Sequence, residues 1–153
     1  MVVQGSFLGY SNSLLQNLAG FSDGTSANAT LAGAYTNTSV PVTGTFAVQI
    51  TIASSIVKNL YQGGAISTPT TFRKIGVSFG NNSLVVSQNA NAVSDPGLGN
   101  GSFAGTLSFN QLAIGYNPQT LVPVNGYVRK IALYGSAMSQ NQLNTLTNTA
   151  YAT

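Results

Sequence analysis

Apolar side chains recur at every second position over much of the middle and C-terminal parts of this chain, and that period commits it to extended strands. From Thr45 to Ile52, Phe46, Val48, Ile50 and Ile52 fall on one face and Thr45, Ala47, Gln49 and Thr51 on the other, the pattern of a half-buried strand. From Phe72 to Phe79, the set Ile75, Val77 and Phe79 opposes Lys74, Gly76 and Ser78. Gly80-Asn81-Asn82 then turns the chain into Ser83–Ser87, which predicts a hairpin. Phe103–Phe109 and Leu112–Tyr116 predict two more short strands, and Asn117-Pro118 opens a turn region reaching Pro123. Ala29–Tyr35 and Val40-Pro41-Val42 are expected at sheet edges, because a proline removes a ladder donor. The polar stretch from Gln88 to Ser102 is expected to be a long loop, where function often lies.

Beyond Gly126 the alternation loses phase. Val128 and Ile131 are three residues apart, so both reach one face only if a residue is inserted, which predicts a bulge at Arg129-Lys130. Ser139-x-x-Gln142 has the form of a capping box, with Met138 and Leu143 placed as a hydrophobic staple and Leu146 continuing the stripe. A short C-terminal helix is therefore predicted. The first forty residues are less regular: Leu14, Leu15 and Leu18 have partial helical spacing, with Ser11 or Asn12 able to cap a turn, between Gly9 and Gly20. Residues 1–20 are set apart as an N-terminal arm or edge segment and 21–153 as one β-sandwich domain, with completion of the sandwich by the first twenty residues as the open alternative. A chain of 153 residues can bury one core.

Composition excludes most chemistry. The charged residues are Lys58, Arg73, Lys74, Arg129 and Lys130 against Asp23 and Asp95, and there is no His, Cys, Trp or Glu. Disulfides, imidazole or thiolate metal sites and every triad containing His or Cys are thereby ruled out. Calcium cages built from several carboxylates go with them. Asp23 precedes Gly24 and Asp95 precedes Pro96-Gly97, turn contexts in which a short acceptor bonds nearby backbone, so neither is expected to act as a catalytic acid or base. No cofactor and no metal are expected. The sequence pI near 9.4 comes from scarce acids, and alternation sends the members of Arg73-Lys74 and Arg129-Lys130 to opposite faces unless a bulge intervenes, so no basic patch and no nucleic-acid partner are expected. The three lysines are expected to keep exposed strand edges soluble. Met1-Val2-Val3-Gln4-Gly5 has neither a basic region nor a long apolar stretch, and no window approaches 18 uninterrupted apolar residues; neither a secretory leader nor a membrane partner is expected.

The segment from Gly126 to Leu143 resembles the closing segment of concanavalin A-like jelly rolls, the laminin-G-like class, in which a Gly-x-Ile-x-x-Val-x-Ile-Tyr strand leads into an Ala-Leu-Ser cap and a helical turn. Gly126, Val128, Ile131, Leu133, Tyr134, Ala137, Met138, Ser139, Gln142 and Leu143 occupy those positions over about 20 residues. The chain departs from the pattern at Ser136, where a basic residue is common, and at Gln142, where Glu is usual. Gly-Tyr-Val-Arg-Lys is similar to the same strand in C-terminal domains of tailed-phage virion proteins, tail fibres and head fibres among them. The resemblance implies an all-β, antiparallel two-sheet sandwich with a short C-terminal helix. Members that cleave glycans carry a Glu-x-Asp-x-Glu strand and members that bind calcium cluster acids, and this chain has neither feature.

The expected function is that of a non-catalytic virion component, a capsid decoration (cement) or head-fibre protein. It would partner the major capsid protein and assemble as a homo-oligomer, with a trimer favoured by local capsid symmetry. An uncharged polar surface packs against neighbours without desolvating ions. Phe7, Leu8, Tyr10, Leu14, Leu15 and Leu18 are the candidate assembly contacts. The alternative is a glycan-binding host-adsorption module of a tail fibre, with Tyr10, Tyr35, Tyr61, Tyr116 and Tyr151 as candidate sugar platforms. An enzyme acting through Lys58, Lys74 or Lys130 has no motif to support it.

Overall fold

The computed structural model describes residues 1–8, 16–36, 44–61, 71–80, 83–92, 101–120 and 122–148. In chain order these form β1 (Val2–Phe7), β2 (Gln16–Ser22), β3 (Ala29–Thr36), β4 (Gly44–Ile52), β5 (Ser55–Tyr61), β6 (Arg73–Gly80), β7 (Ser83–Gln88), β8 (Asn91–Ala92), β9 (Gly101–Ser102), β10 (Gln111–Ile114), β11 (Gly126–Ala132) and α1 (Gln140–Thr147). One sheet runs β11-β1-β6-β7-β8, with β9 also paired to β7, and the other runs β10-β2-β3-β4-β5. Their ladders are antiparallel throughout. The expected all-β sandwich with a short C-terminal helix is the fold observed.

The two sheets close over one apolar layer. Val3, Phe7, Ile75, Val77, Leu84 and Val86 come from one, and Leu18, Ala19, Ala32, Val48, Ile50 and Leu60 from the other. In β4 Val48 and Ile50 are fully buried as the alternation expects, whereas Thr51, expected on the polar face, is buried as well, its hydroxyl accepting from Gln119 Nε2 at 2.7 Å. The hairpin into β7 pairs Gly80 with Ser83, and Phe79 with Leu84 on the core side.

The expected arm belongs to the sheets. β1 lies between β11 and β6, β2 lies between β10 and β3, and Phe7 and Leu18 are core residues. Two local features hide these strands in the sequence. In β1 the core-facing position between Val3 and Phe7 is Gly5, where an added Cβ would meet Leu18 Cδ2 at 2.8 Å. In β2 the register jumps from Asn17↔Gly33 to Ala19↔Ala32, so Leu18 is an inserted residue that breaks the period. The buried side chain of Asn17 repairs the ladder there: its Oδ1 accepts from Ala32 N (2.9 Å) and its Nδ2 donates to Tyr116 O (3.0 Å).

Two further expectations change. Ala29–Tyr35 lies in β3, the middle strand of its sheet, because the proline follows the strand; residues 40–42 fall outside the described segments. Residues 103–109 form no ladder, yet their alternation is real: Phe103 is buried and Leu107 and Phe109 half-buried, while Ala104, Thr106 and Ser108 are exposed. This stretch leads from β9 in one sheet to β10 in the other, so its apolar residues fill the core while its backbone pairs with no strand among the described residues. The expected loop from Gln88 to Ser102 is shortened at each end by β8 and β9.

The bulge in β11 falls where the phase break required it: Gln4 pairs with Lys130 and Gly5 with Val128, leaving Arg129 as the extra residue. The helix starts as expected. Ser139 Oγ accepts from Gln142 N (3.4 Å) while Gln142 Oε1 accepts from Ser139 N (2.9 Å). Helix α1 lies on the outer face of β6 and β7, where small residues make room for it. Leu143 is fully buried, Thr147 Oγ1 shares a hydrogen bond with Ser87 Oγ (2.7 Å), and Met138 N donates to Ser78 Oγ (2.7 Å). The stripe runs from Leu143 to Thr147, with Leu146 half-buried beside it.

Candidate functional site

A cavity of about 580 Å³ opens at the end of the sandwich where β2 and β6 finish. Phe21 of β2, Phe79 of β6 and Phe109 of the crossing segment form a ring cluster there. Phe21 and Phe109 stack with centroids 6.3 Å apart, and Phe79 meets each edge-on at 5.6 and 5.7 Å. The stretches 103–109 and 133–138 supply much of the remaining lining. Met1 and Val77 exchange backbone bonds at 2.8 Å beside it. Among the described residues the lining includes Leu133, Tyr134 and Met138 with the hydroxyls of Thr106 and Ser136, and no acidic or basic side chain. Such a site can hold a neutral, largely apolar group with hydrogen bonds at its rim.

Leu133 and Tyr134 are 55% and 43% exposed at this cavity. Alternation places Leu133 on the core side with Ile131, but β11 ends at Ala132, so Leu133 lies beyond the ladder. The other signature residues are structural. Gly126 approaches the Ser6 carbonyl too closely for a Cβ, Val128 and Ile131 pack on the core, and Ser139, Gln142 and Leu143 form and seat the helix.

The candidate assembly contacts separate. Phe7 and Leu18 are buried in the core and cannot meet a partner, whereas Leu8 is 53% exposed. Tyr10, Leu14 and Leu15 lie outside the described residues. Of the tyrosines proposed as platforms, Tyr116 is exposed beside its bridge to Pro123, and Tyr35 and Tyr61 lie in β3 and β5. Tyr10 and Tyr151 also fall outside the described residues. The sequence reading missed Tyr127, which stands out from edge strand β11; its alternation with Gly126 and Val128 was the available signal.

Asp23 is committed to its turn. Its Oδ1 accepts from Thr25 N and Thr25 Oγ1 (2.8 and 2.6 Å), and its Oδ2 accepts from Asn28 Nδ2 (2.6 Å). The bonds from Thr25, and then that from Asn28, hold its pKa below the usual aspartate value. Asp95 lies outside the described residues. Lys58, expected at a solvated edge, faces the core side of β5 opposite Ile50 and is buried. Among the described residues no helix is long and apolar enough to cross a membrane. The chain matches no protein-family model, and no curated protein is significantly similar to it.

Proposed function

We propose that this protein is a non-catalytic structural component of a tailed-phage virion, a capsid decoration or head-fibre protein that coats or stabilises the particle as a homo-oligomer. The observation that carries this reading is the surface. Leu8, Ile56, Ile114, Tyr127, Leu133 and Tyr134 are 43–57% exposed on a sandwich whose whole chain has only seven charged residues. Packing such a surface against a neighbour removes apolar area from water at about 25 cal/mol per Å² without stripping water from unpaired ions. The bulged final strand, capping box and seated helix support the resemblance to concanavalin A-like domains of phage virion proteins. The partner in this reading is the major capsid protein, and a trimer suits the local symmetry of a capsid.

The test is sedimentation of purified protein with particles that lack it, followed by low-resolution imaging of the labelled protein. Co-sedimentation and regular density on the head are expected; protein left in the supernatant at saturating particle concentration would sink the reading. A second reading, a glycan-binding host-adsorption module, is favoured by Tyr134 exposed at an aromatic-floored cavity beside Thr106 and Ser136. Retention on a glycan array by the same protein that fails to coat heads would select it.

A further inference from the structure

The register of β1 joins what the sequence keeps 56 residues apart. Gln4 pairs with Lys74 on one side and Lys130 on the other, so the two lysines flank it on one face of the sheet, with Cα atoms about 10 Å apart. That face is the outer one, since the neighbouring Val3, Ile75 and Ile131 point to the core. The bulge brings Arg129 to the same face, where its guanidinium carbon lies 5.9 Å from the centroid of the Phe72 ring. Tyr127, paired with Ser6, completes the group at 57% exposure. The expectation of no basic patch therefore fails, because the inserted residue frees the second doublet from strict alternation. Arg129 and Lys130 are exposed, whereas Lys74 is half-buried with its Nζ donating to Asn148 O (3.1 Å). The one acid among the described residues, Asp23, lies in the turn after β2, in the other sheet.

We propose that this outer face of β11 and β1 docks a carboxylate-bearing segment of a partner protein. Charge complementarity sets the sign of the partner. Two exposed cations and one tethered lysine match a few carboxylates, whereas a nucleic-acid backbone binds usefully at physiological salt through several more phosphate contacts than that. Tyr127 beside Arg129 supplies the two side-chain types that most often dominate the energetics of protein interfaces. The inference rests on the assembly reading only in taking the partner to be a protein.

The test is an amide NMR titration of the full chain with a hexaglutamate peptide at low salt, with hexathymidylate as the phosphate probe. Shifts are expected at Gln4, Tyr127, Arg129 and Lys130. Affinity should fall about five-fold in the Arg129→Gln/Lys130→Gln double variant, and further with added salt in the wild type. Lys130→Gln alone, with an unchanged melting temperature, serves as the second variant and should weaken binding by a smaller factor. Unchanged affinity in the double variant, absence of shifts on β11, or tighter binding of hexathymidylate through the same residues would overturn the proposal. Particles coated by a protein that ignores the peptide sink this inference alone. Peptide binding by a protein that leaves particles bare sinks the assembly reading alone.

Discussion

Leu143 occupies space that residue 76 leaves open by having no side chain: a Cβ on Gly76 would lie 2.6 Å from Leu143 Cδ1 and 2.9 Å from Thr147 Cγ2. Sixty-seven residues separate the two, and the contact seats the terminal helix on β6. Gly76→Ala is expected to cost about 1–3 kcal/mol through overpacking, and Leu143→Ala about 2–5 kcal/mol through lost burial and a cavity. Urea denaturation of both variants and of the double variant checks the pairing. In the Leu143→Ala background the cost of Gly76→Ala should shrink to what the Thr147 Cγ2 contact alone imposes; additive costs would mean that the glycine serves some other purpose.

Asn17→Ala removes the acceptor for Ala32 N and the donor for Tyr116 O at the Leu18 bulge. A loss of about 2–4 kcal/mol is expected, because buried backbone groups are left without partners. Asn17→Ser, which keeps the polarity but not the reach, should recover little of it. Equilibrium unfolding measures both, and a cost below about 0.5 kcal/mol for the alanine variant would contradict the role assigned to this side chain.

Two hairpin turns place non-glycine residues in left-handed conformations. Ala53 and Ser54 have φ of 49° and 65°, and Asn89 and Ala90 have φ of 47° and 67°. Such turns favour glycine at their second central position. Ser54→Gly and Ala90→Gly are each expected to raise stability by about 1 kcal/mol, since the left-handed strain relieved exceeds the added chain entropy. Thermal melts check the sign, and a lowered melting temperature for both variants would show that these turns are unstrained.

Asp23 sets a pH dependence with a definite sign. Its folded pKa is depressed, so the stability it contributes is fully present above its unfolded value of about 4 and is lost as pH falls through the lower folded value. Asp23→Asn should unfold at the same denaturant concentration at pH 3 as at pH 5 more nearly than the wild type does. Parallel acid profiles of the two proteins would show that the Thr25 and Asn28 bonds do not discriminate between the charged and neutral carboxyl.

Strand β4, the hairpin of β6 and β7, the bulge at Arg129 and the cap at Ser139 were legible because each is announced within a few residues, by period, turn chemistry or side-chain reach. β1 and β2 were not, because Gly5 interrupts one apolar face and the Leu18 insertion shifts the other, and both make sense only against the strands they meet. The crossing segment 103–109 shows the converse: alternation aims side chains, but a ladder needs a neighbour that the local sequence does not supply. The uncovered state of Leu133 and Tyr134 was hidden for the same reason, since it depends on where β11 ends relative to the opposite sheet.

Strand period, residue inventory and capping chemistry act over short distances, so the order of residues alone marks a nearly uncharged β protein with a capped terminal helix. Which strand is central, the burial of Lys58, and the shared face of Lys74, Arg129, Lys130 and Tyr127 emerge only in the folded chain. Those properties belong to strand order and register, in which residues far apart in the chain become neighbours.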